Sequence, residues 1–222
     1  MPKVRICNIG VSIDGFVAGP GQSTAHPLGV GGEAVHAWAF ATRSFRKMSG
    51  GNGKGDGVDD QIFASGFEGI GAWIIGRNMF GPDRGPWGAQ PWRGWWGDNP
   101  PFHCPVIVLT HHPRDKLEMD GGTVFHFETG GTRAALTRAL KAADGKDVRI
   151  GGGASVLRQY LWGGFVDEMH LAMAPTLLGA GERLFEGVDL SARYPCRRVV
   201  PGEGATHYFF TRENDAPVRL VT

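Results

Sequence analysis

The residues best suited to chemistry sit where an apolar run gives way to glycine or to a cation. In Val148-Arg149-Ile150-Gly151-Gly152-Gly153-Ala154-Ser155-Val156-Leu157 a strand-like run ends, glycines follow, and helix-forming residues begin. Glycine lets backbone come close to a phosphate, and the free amides that open a helix point at the anion. The same order also suits a tight strand-to-helix turn with no ligand. It is not the G-x-G-x-x-G dinucleotide fingerprint, because Val156 and Leu157 follow Ser155 where glycine would have to return. Ile75-Gly76-Arg77-Asn78 is a second strand end. Its guanidinium could grip a phosphate through two parallel hydrogen bonds, or lie solvated on the surface. Thr110-His111-His112 closes a third apolar run. Adjacent side chains on an extended segment point opposite ways, and no third ligand is spaced for zinc, so no metal is expected there. Asp14, in Ser12-Ile13-Asp14-Gly15, is either a catalytic carboxylate or a turn residue bonded to its own backbone.

Other patterns fail on inspection. Asn52-Gly53-Lys54-Gly55 has the glycine and lysine of a phosphate loop, but Gly55 stands where Ser or Thr is required, so it is expected to be a linker. His126-Phe127-Glu128 has the H-x-E form of a zinc deaminase, but Val199 occupies the place of the second cysteine after Pro195-Cys196. Trp87, Trp92, Trp95 and Trp96 suit a planar-ligand pocket, a covered core edge or a subunit interface equally well.

The elements that must position these residues follow from apolar periodicity. Strands are expected over residues 4–11, 72–76, 106–110, 123–127, 148–150, 166–174, 194–200, 205–212 and 218–221. Helices are expected over 33–48, 58–70, 132–143 and 154–162. Strand and helix alternate through most of the chain, and the last quarter is strand-rich. This predicts an α/β sheet, parallel in its middle, with antiparallel strands at one edge. No internal repeat and no domain boundary is visible.

Composition narrows the function classes. Lys and Arg total 23 and Asp and Glu 22, a net charge of +1, which argues against nucleic acid or an anionic membrane as the main partner. No apolar stretch approaches the ~18 residues of a membrane span. The N-terminus, Met1-Pro2-Lys3-Val4-Arg5-Ile6, has no secretory pattern, and the cysteines Cys7, Cys104 and Cys196 are far apart and odd in number. A cytoplasmic location without disulfides is expected. Glycine is in excess, with 36 among 222 residues, against an average of about 7%.

Taken in order, several segments resemble the dihydrofolate reductase-like fold. In particular they resemble the family that includes the C-terminal reductase domain of the bifunctional riboflavin-biosynthesis protein. The matching pieces are Ser12-Ile13-Asp14-Gly15-Phe16-Val17-Ala18-Gly19, Gly71-Ala72-Trp73-Ile74-Ile75-Gly76-Arg77, Pro105-Val106-Ile107-Val108-Leu109-Thr110-His111, Ile150-Gly151-Gly152-Gly153-Ala154 and Val166-Asp167-Glu168-Met169-His170-Leu171. Ala174-Pro175-Thr176-Leu177-Leu178-Gly179-Ala180-Gly181-Glu182-Arg183-Leu184-Phe185 continues the series.

The resemblance implies a three-layer α/β domain over residues 1–222, with loop insertions near 49–57 and 81–101. It implies a reductase that binds NADPH and carries hydride to a small heterocyclic or ribosylated substrate. Gly76 and Arg77, with Asn78 beside them, and Thr110, His111 and His112 would hold the adenosine end and its 2′-phosphate. Ile150, Gly151, Gly152, Gly153, Ala154 and Ser155 would hold the pyrophosphate, and Ile9 and Gly10 would face the nicotinamide. Asp14 becomes the candidate acid or substrate ligand. A homodimer is the implied assembly. Two alternatives stand beside this: a non-catalytic NADP(H) sensor, and dihydrofolate reductase itself. The expected first helix offers only Glu33 as a carboxylate, which counts against folate.

Overall fold

Runs of β-branched and aromatic residues become strands. The computed structural model describes residues 1–53, 55–89, 92–186, 188–213 and 219–220. In chain order the elements are β1 (Val4–Ser12), β2 (Phe16–Ala18), α1 (Glu33–Ala41), α2 (Arg43–Met48), α3 (Val58–Ser65), β3 (Ile70–Gly76), α4 (Arg77–Phe80), β4 (Pro105–Leu109), β5 (Leu117–Glu118), β6 (Val124–Glu128), α5 (Gly131–Ala142), β7 (Asp147–Gly152), α6 (Ala154–Trp162), β8 (Glu168–Ala174), β9 (Glu182–Arg183), β10 (Val188–Asp189), β11 (Cys196–Pro201), β12 (Thr206–Thr211) and β13 (Arg219–Leu220). This is the mixed α/β architecture, with a mostly parallel sheet and antiparallel C-terminal strands, that the resemblance implies. The chain forms two compact units.

One unit comprises Met1–Arg5 and Gly69–Tyr160. Its strands run in the order β7-β3-β4-β6-β5, parallel except for β5 at the edge. Ile74 stands level with Ile107 on one side and Ile150 on the other. These three, with Ile75, Val106 and Val108, are fully buried. A strand covered on both faces needs no polar alternation, which is why β3 and β4 are continuous apolar runs. Each such side chain contributes about 1.5–3 kcal/mol when removed from water. Helix α5 packs on β3 and β4, and its buried face includes Ala135 and Ala139. The start of β1 joins this unit, where the Val148 N–H donates to the Lys3 carbonyl at 2.9 Å.

The other unit comprises Ile6–Glu68 and the described part of Leu161–Thr222. It holds the rest of β1 beside β8, then β12 and β11, with β12 antiparallel to β8 and β11 antiparallel to β12. Trp38 and Ala39 of α1 and Phe63 of α3 pack with Ala172 and Ala205.

Several boundaries differ from the sequence expectation. Residues 33–48 form two helices, because buried Thr42 caps both. Its hydroxyl donates to the Ala39 carbonyl at 2.7 Å and accepts from the Phe45 N–H at 3.1 Å. The helix expected to reach residue 70 stops at Ser65, ahead of Gly66 and Gly69, and Ile70 opens β3. Strand β7 continues through Gly151 and Gly152, so the first two glycines of the triplet belong to the sheet. Of the strand expected over 218–221, Arg219 and Leu220 pair with Asp189 and Val188, and residues 218 and 221 lie outside the described residues. Lys54 of the expected linker also lies outside them. Among the described residues no helix is long and apolar enough to cross a membrane.

Candidate functional site

Parallel strands bring their C-terminal ends to one edge, and open α/β sheets bind ligands at such an edge. Within the first unit the ends of β4, β3 and β7 are Leu109, Gly76 and Gly152, with Gly76 paired to Leu109 and Ile75 to Gly152. Sequence expectation placed Thr110, His111 and His112, then Gly76, Arg77 and Asn78, then residues 150–155 at these ends. The structure brings all three groups to one side of the same sheet.

At β7 the backbone is specialised. Gly152 has φ 130°, a conformation that side chains rarely adopt, and the Gly152–Gly153 peptide bond is cis. A Cβ on Gly151 would come to 3.0 Å from Ile75 Cγ2, and one on Gly76 to 2.8 Å from Val156 Cγ2. Close packing against side chains accounts for these two glycines without a ligand. Gly153 is different: a Cβ there would meet nothing within 4 Å. Its carbonyl accepts from the amides of Val156 and Leu157 at 3.0 and 3.1 Å, which starts α6. The first amides of a helix have no intrahelical acceptor, so Ala154 and Ser155 present donors beside that open space. Ser155 is exposed.

At β3 the strand runs directly into the single turn α4, which carries Arg77 and exposed Asn78. The Arg77 guanidinium lies 3.5 Å from the centroid of Trp87. Its Nε and Nη1 are buried and, among the described residues, have no hydrogen-bond partner. Burial lowers its pKa, Asp83 opposes that, and the neighbouring Arg114 cation lowers it further. An arginine so placed stays charged, and among the described residues no acceptor is hydrogen-bonded to its Nε or Nη1. Arg114 lies on the same ring system, 4.7 Å from Trp87 and 4.8 Å from Phe127, and donates to the Trp92 carbonyl at 2.6 Å.

At β4 the chain turns through Thr110, whose hydroxyl accepts from the His112 N–H at 3.1 Å. The His112 carbonyl accepts from Trp87 Nε1 at 3.0 Å, and His111 is exposed. The Trp-rich segment is therefore anchored to the strand ends. Trp92 Nε1 donates to the Phe80 carbonyl at 3.0 Å, and Trp96 stacks on Phe125 and meets Phe102 edge-on. These indoles cover aromatic core. Trp87 and Arg114 are the neighbours of Arg77 that periodicity could not assign, because the pairing spans 10 to 37 positions of chain. The two unpartnered nitrogens of Arg77, the α6 amides and the open space at Gly153 fit a ligand with more than one phosphate.

The remaining expected residues lie in the second unit. Ile9 and Gly10 are buried in β1. Asp14 sits in the turn after β1. It accepts from Ser12 Oγ at 2.6 Å, from the Gly179 amide at 2.6 Å and from the Leu178 amide at 3.1 Å. The Ser12 bond, outweighing the opposing effect of burial and aided by the two amides, holds its pKa at about 2. Asp14 is thus an anion at neutral pH that fixes the 178–179 turn.

A family model described as the RibD C-terminal domain matches residues 2–205. No curated protein matches the sequence. Among solved structures, a pyrimidine reductase-like protein from Corynebacterium diphtheriae is 19% identical at a TM-score of 0.52, over 96% of this chain and 93% of that one. RibD of Acinetobacter baumannii is 19% identical at a TM-score of 0.55, over 96% of this chain and 58% of that one. A diaminohydroxyphosphoribosylaminopyrimidine deaminase/5-amino-6-(5-phosphoribosylamino)uracil reductase from Thermotoga maritima is 14% identical at a TM-score of 0.52, over 95% of this chain and 56% of that one. At these identities the three structures show a shared fold. The family model spans nearly the whole length, and the chain belongs to the RibD C-terminal domain family, a family of riboflavin-pathway reductases.

Proposed function

We propose that this protein is an NADPH-dependent reductase of a small heterocyclic or ribosylated substrate, similar to 5-amino-6-(5-phosphoribosylamino)uracil reductase. The observation that carries the reading is that neighbouring strand ends of one sheet carry the orphaned Arg77 nitrogens, after β3, and the open space at Gly153 with the first α6 amides, after β7. Arg77, with Asn78, Thr110, His111 and His112 around it, holds the 2′-phosphate and adenosine. The segment 150–155 holds the pyrophosphate. Ile9 and Gly10 face the nicotinamide. When bound, the cofactor supplies hydride to an electron-poor carbon of a C=N or C=O group. The chain's own task is to orient cofactor and substrate and to exclude water. Asp14 serves as a positioning anion for the 178–179 turn, since a carboxylate held at about pKa 2 has no proton to give at neutral pH.

Titration of tryptophan fluorescence with NADPH and with NADH tests this. NADPH binds more tightly, and Arg77→Ala removes the preference by about ten- to hundredfold, the value of a charge-assisted hydrogen bond of roughly 1.5–3 kcal/mol. No binding at near-millimolar NADPH overturns the reading. We also propose a homodimer, which sedimentation reads as twice 23.9 kDa. A non-catalytic NADP(H) sensor is the second reading, favoured by the ionised state of Asp14. It predicts NADPH binding with no oxidation in the presence of pyrimidine substrates.

A further inference from the structure

The second unit contains a buried chain of hydrogen bonds that the cofactor reading leaves unused. Asp59 on α3, His207 on β12 and His170 on β8 are 6%, 0% and 5% exposed. His207 Nε2 lies 2.8 Å from Asp59 Oδ1, and His170 Nε2 lies 3.0 Å from His207 Nδ1. At the far end the Asn8 N–H donates to His170 Nδ1 at 3.1 Å.

That last bond fixes the protons of the whole chain. A backbone N–H only donates, so His170 Nδ1 presents a lone pair. A neutral imidazole with a bare Nδ1 carries its proton on Nε2. His170 Nε2–H therefore donates to His207 Nδ1, and His207 Nε2–H donates to Asp59. A proton on His207 Nδ1 would leave His170 with no N–H at all. A second proton on His170 would set Nδ1–H against the Asn8 N–H. The geometry selects one tautomer for each ring, with Nε2–H donating, and the donors all run from Asn8 toward the carboxylate.

The carboxylate end is clamped. Asp59 Oδ2 accepts from the Gly204 N–H at 2.7 Å, and the Asp59 N–H donates to Glu203 Oε2 at 2.9 Å. Gly202 approaches so closely that a Cβ there would overlap Asp59 Oδ1 and lie 2.8 Å from His207 Nε2. Trp38 meets both rings edge-on, and Phe209 stacks on His170 with centroids 4.7 Å apart.

The other end is a backbone irregularity. Asn8 has φ 59°, the left-handed region, in the middle of β1. Its amide goes to an imidazole, and its side-chain Nδ2 donates to the Phe63 carbonyl at 2.9 Å. The next residues are Ile9 and Gly10, and Gly10 lies so close to the Val35 carbonyl of α1 that a Cβ would overlap it.

We propose that Asp59, His207 and His170 are positioning residues. They form a one-way hydrogen-bond relay that holds the Asn8 bulge and, through it, the backbone of Ile9 and Gly10. The final step, from that backbone to the nicotinamide, rests on the cofactor reading above.

The test uses the full chain, first without any ligand. In the wild type, ¹⁵N spectra of the imidazoles show unprotonated Nδ1 in both His170 and His207, and a protonated Nδ1 in either overturns the relay. Asp59→Asn keeps the shape but replaces one acceptor by a donor. A donor must then face a donor, at Gly204 or, after both tautomers reverse, at Asn8. Hydrogen exchange of the Asn8 amide is expected to speed up at least tenfold if the tautomers reverse, and the imidazole signals report the reversal. His170→Phe removes the acceptor and has the same effect on exchange. His170→Asn, whose Oδ1 stands near the old Nδ1 position, restores slow exchange. Unchanged Asn8 exchange in His170→Phe overturns the proposal.

NADPH titration then examines the last step. The dissociation constant rises severalfold in His170→Phe and recovers in His170→Asn. Faster exchange with an unchanged dissociation constant overturns the link to the cofactor. If the wild type fails to bind NADPH, the cofactor reading fails, and the exchange and imidazole data alone decide the relay.

Discussion

Asp14 ties the turn after β1 to residues 178 and 179. Three hydrogen bonds from Ser12, Leu178 and Gly179 stabilise its charged form, and its pKa falls from 3.8 to about 2. A carboxylate with a depressed folded-state pKa adds stability above its ordinary value and loses it as pH falls through the depressed one. Asp14→Asn should therefore lower the urea midpoint at pH 6, because its amide must set a donor against one of the N–H groups. The difference from wild type should shrink between pH 3.8 and about 2, where the native aspartate also takes up a proton. A pH-independent difference would assign Asp14 a purely steric role. The turn reading of Ser12-Ile13-Asp14-Gly15 was available from sequence. The partners were not, since residues 178 and 179 lie more than 160 positions away and leave no local signal.

Among the elements, buried strands were the most legible and short pairings the least. β3, β4 and β7 announce themselves because burial on both faces leaves nothing but apolar residues. β2 with β9 and β10 with β13 involve two or three residues each, too few for any period. The division of 33–48 had one cue, Thr42, a residue that competes for backbone hydrogen bonds. No glutamate follows at the capping-box spacing, since Phe45 stands there. Thr42 acts at once on the end of α1 and the start of α2. Thr42→Ala should cost about 1 kcal/mol, within the roughly 0.5–2 kcal/mol range of N-cap losses, measured by urea unfolding. Thr42→Ser, which keeps the hydroxyl, should recover most of it. An alanine variant as stable as wild type would mean that tertiary packing of Phe45 and Trp38, not the cap, sets the break. The glycine excess divides in the same way by element: Gly76 and Gly151 serve packing, Gly202 serves the approach to Asp59, and Gly153 opens onto empty space at a strand end.

For the molecule as a whole, ligand linkage separates the competing functions in one series of melts. A ligand that binds only the native state raises stability by about 2.7 kcal/mol at a hundredfold excess over its dissociation constant. In a chain of this size that shifts the melting temperature by roughly 5–11 °C, at about 2–4 °C per kcal/mol. NADPH should produce such a shift, and NADH at the same concentration a smaller one. Arg77→Ala should bring the two together, measured against the variant's own unliganded melt, which also loses the stacking of the guanidinium on Trp87. Gly153→Ala sharpens the argument. Its methyl enters space that touches no other part of the protein, so the unliganded melt should be unchanged while the NADPH shift falls. A lower unliganded melt would mean that the backbone at Gly153 itself rejects alanine. An unchanged NADPH shift would mean that the space beside α6 is not where the phosphates lie. Methotrexate should give no shift, as the only carboxylate on α1 is exposed Glu33. A large methotrexate shift would restore dihydrofolate reductase as the better reading. Should NADPH stabilise the protein while pyrimidine substrates leave it unoxidised, the sensor reading replaces the reductase, and the strand-end site survives either outcome.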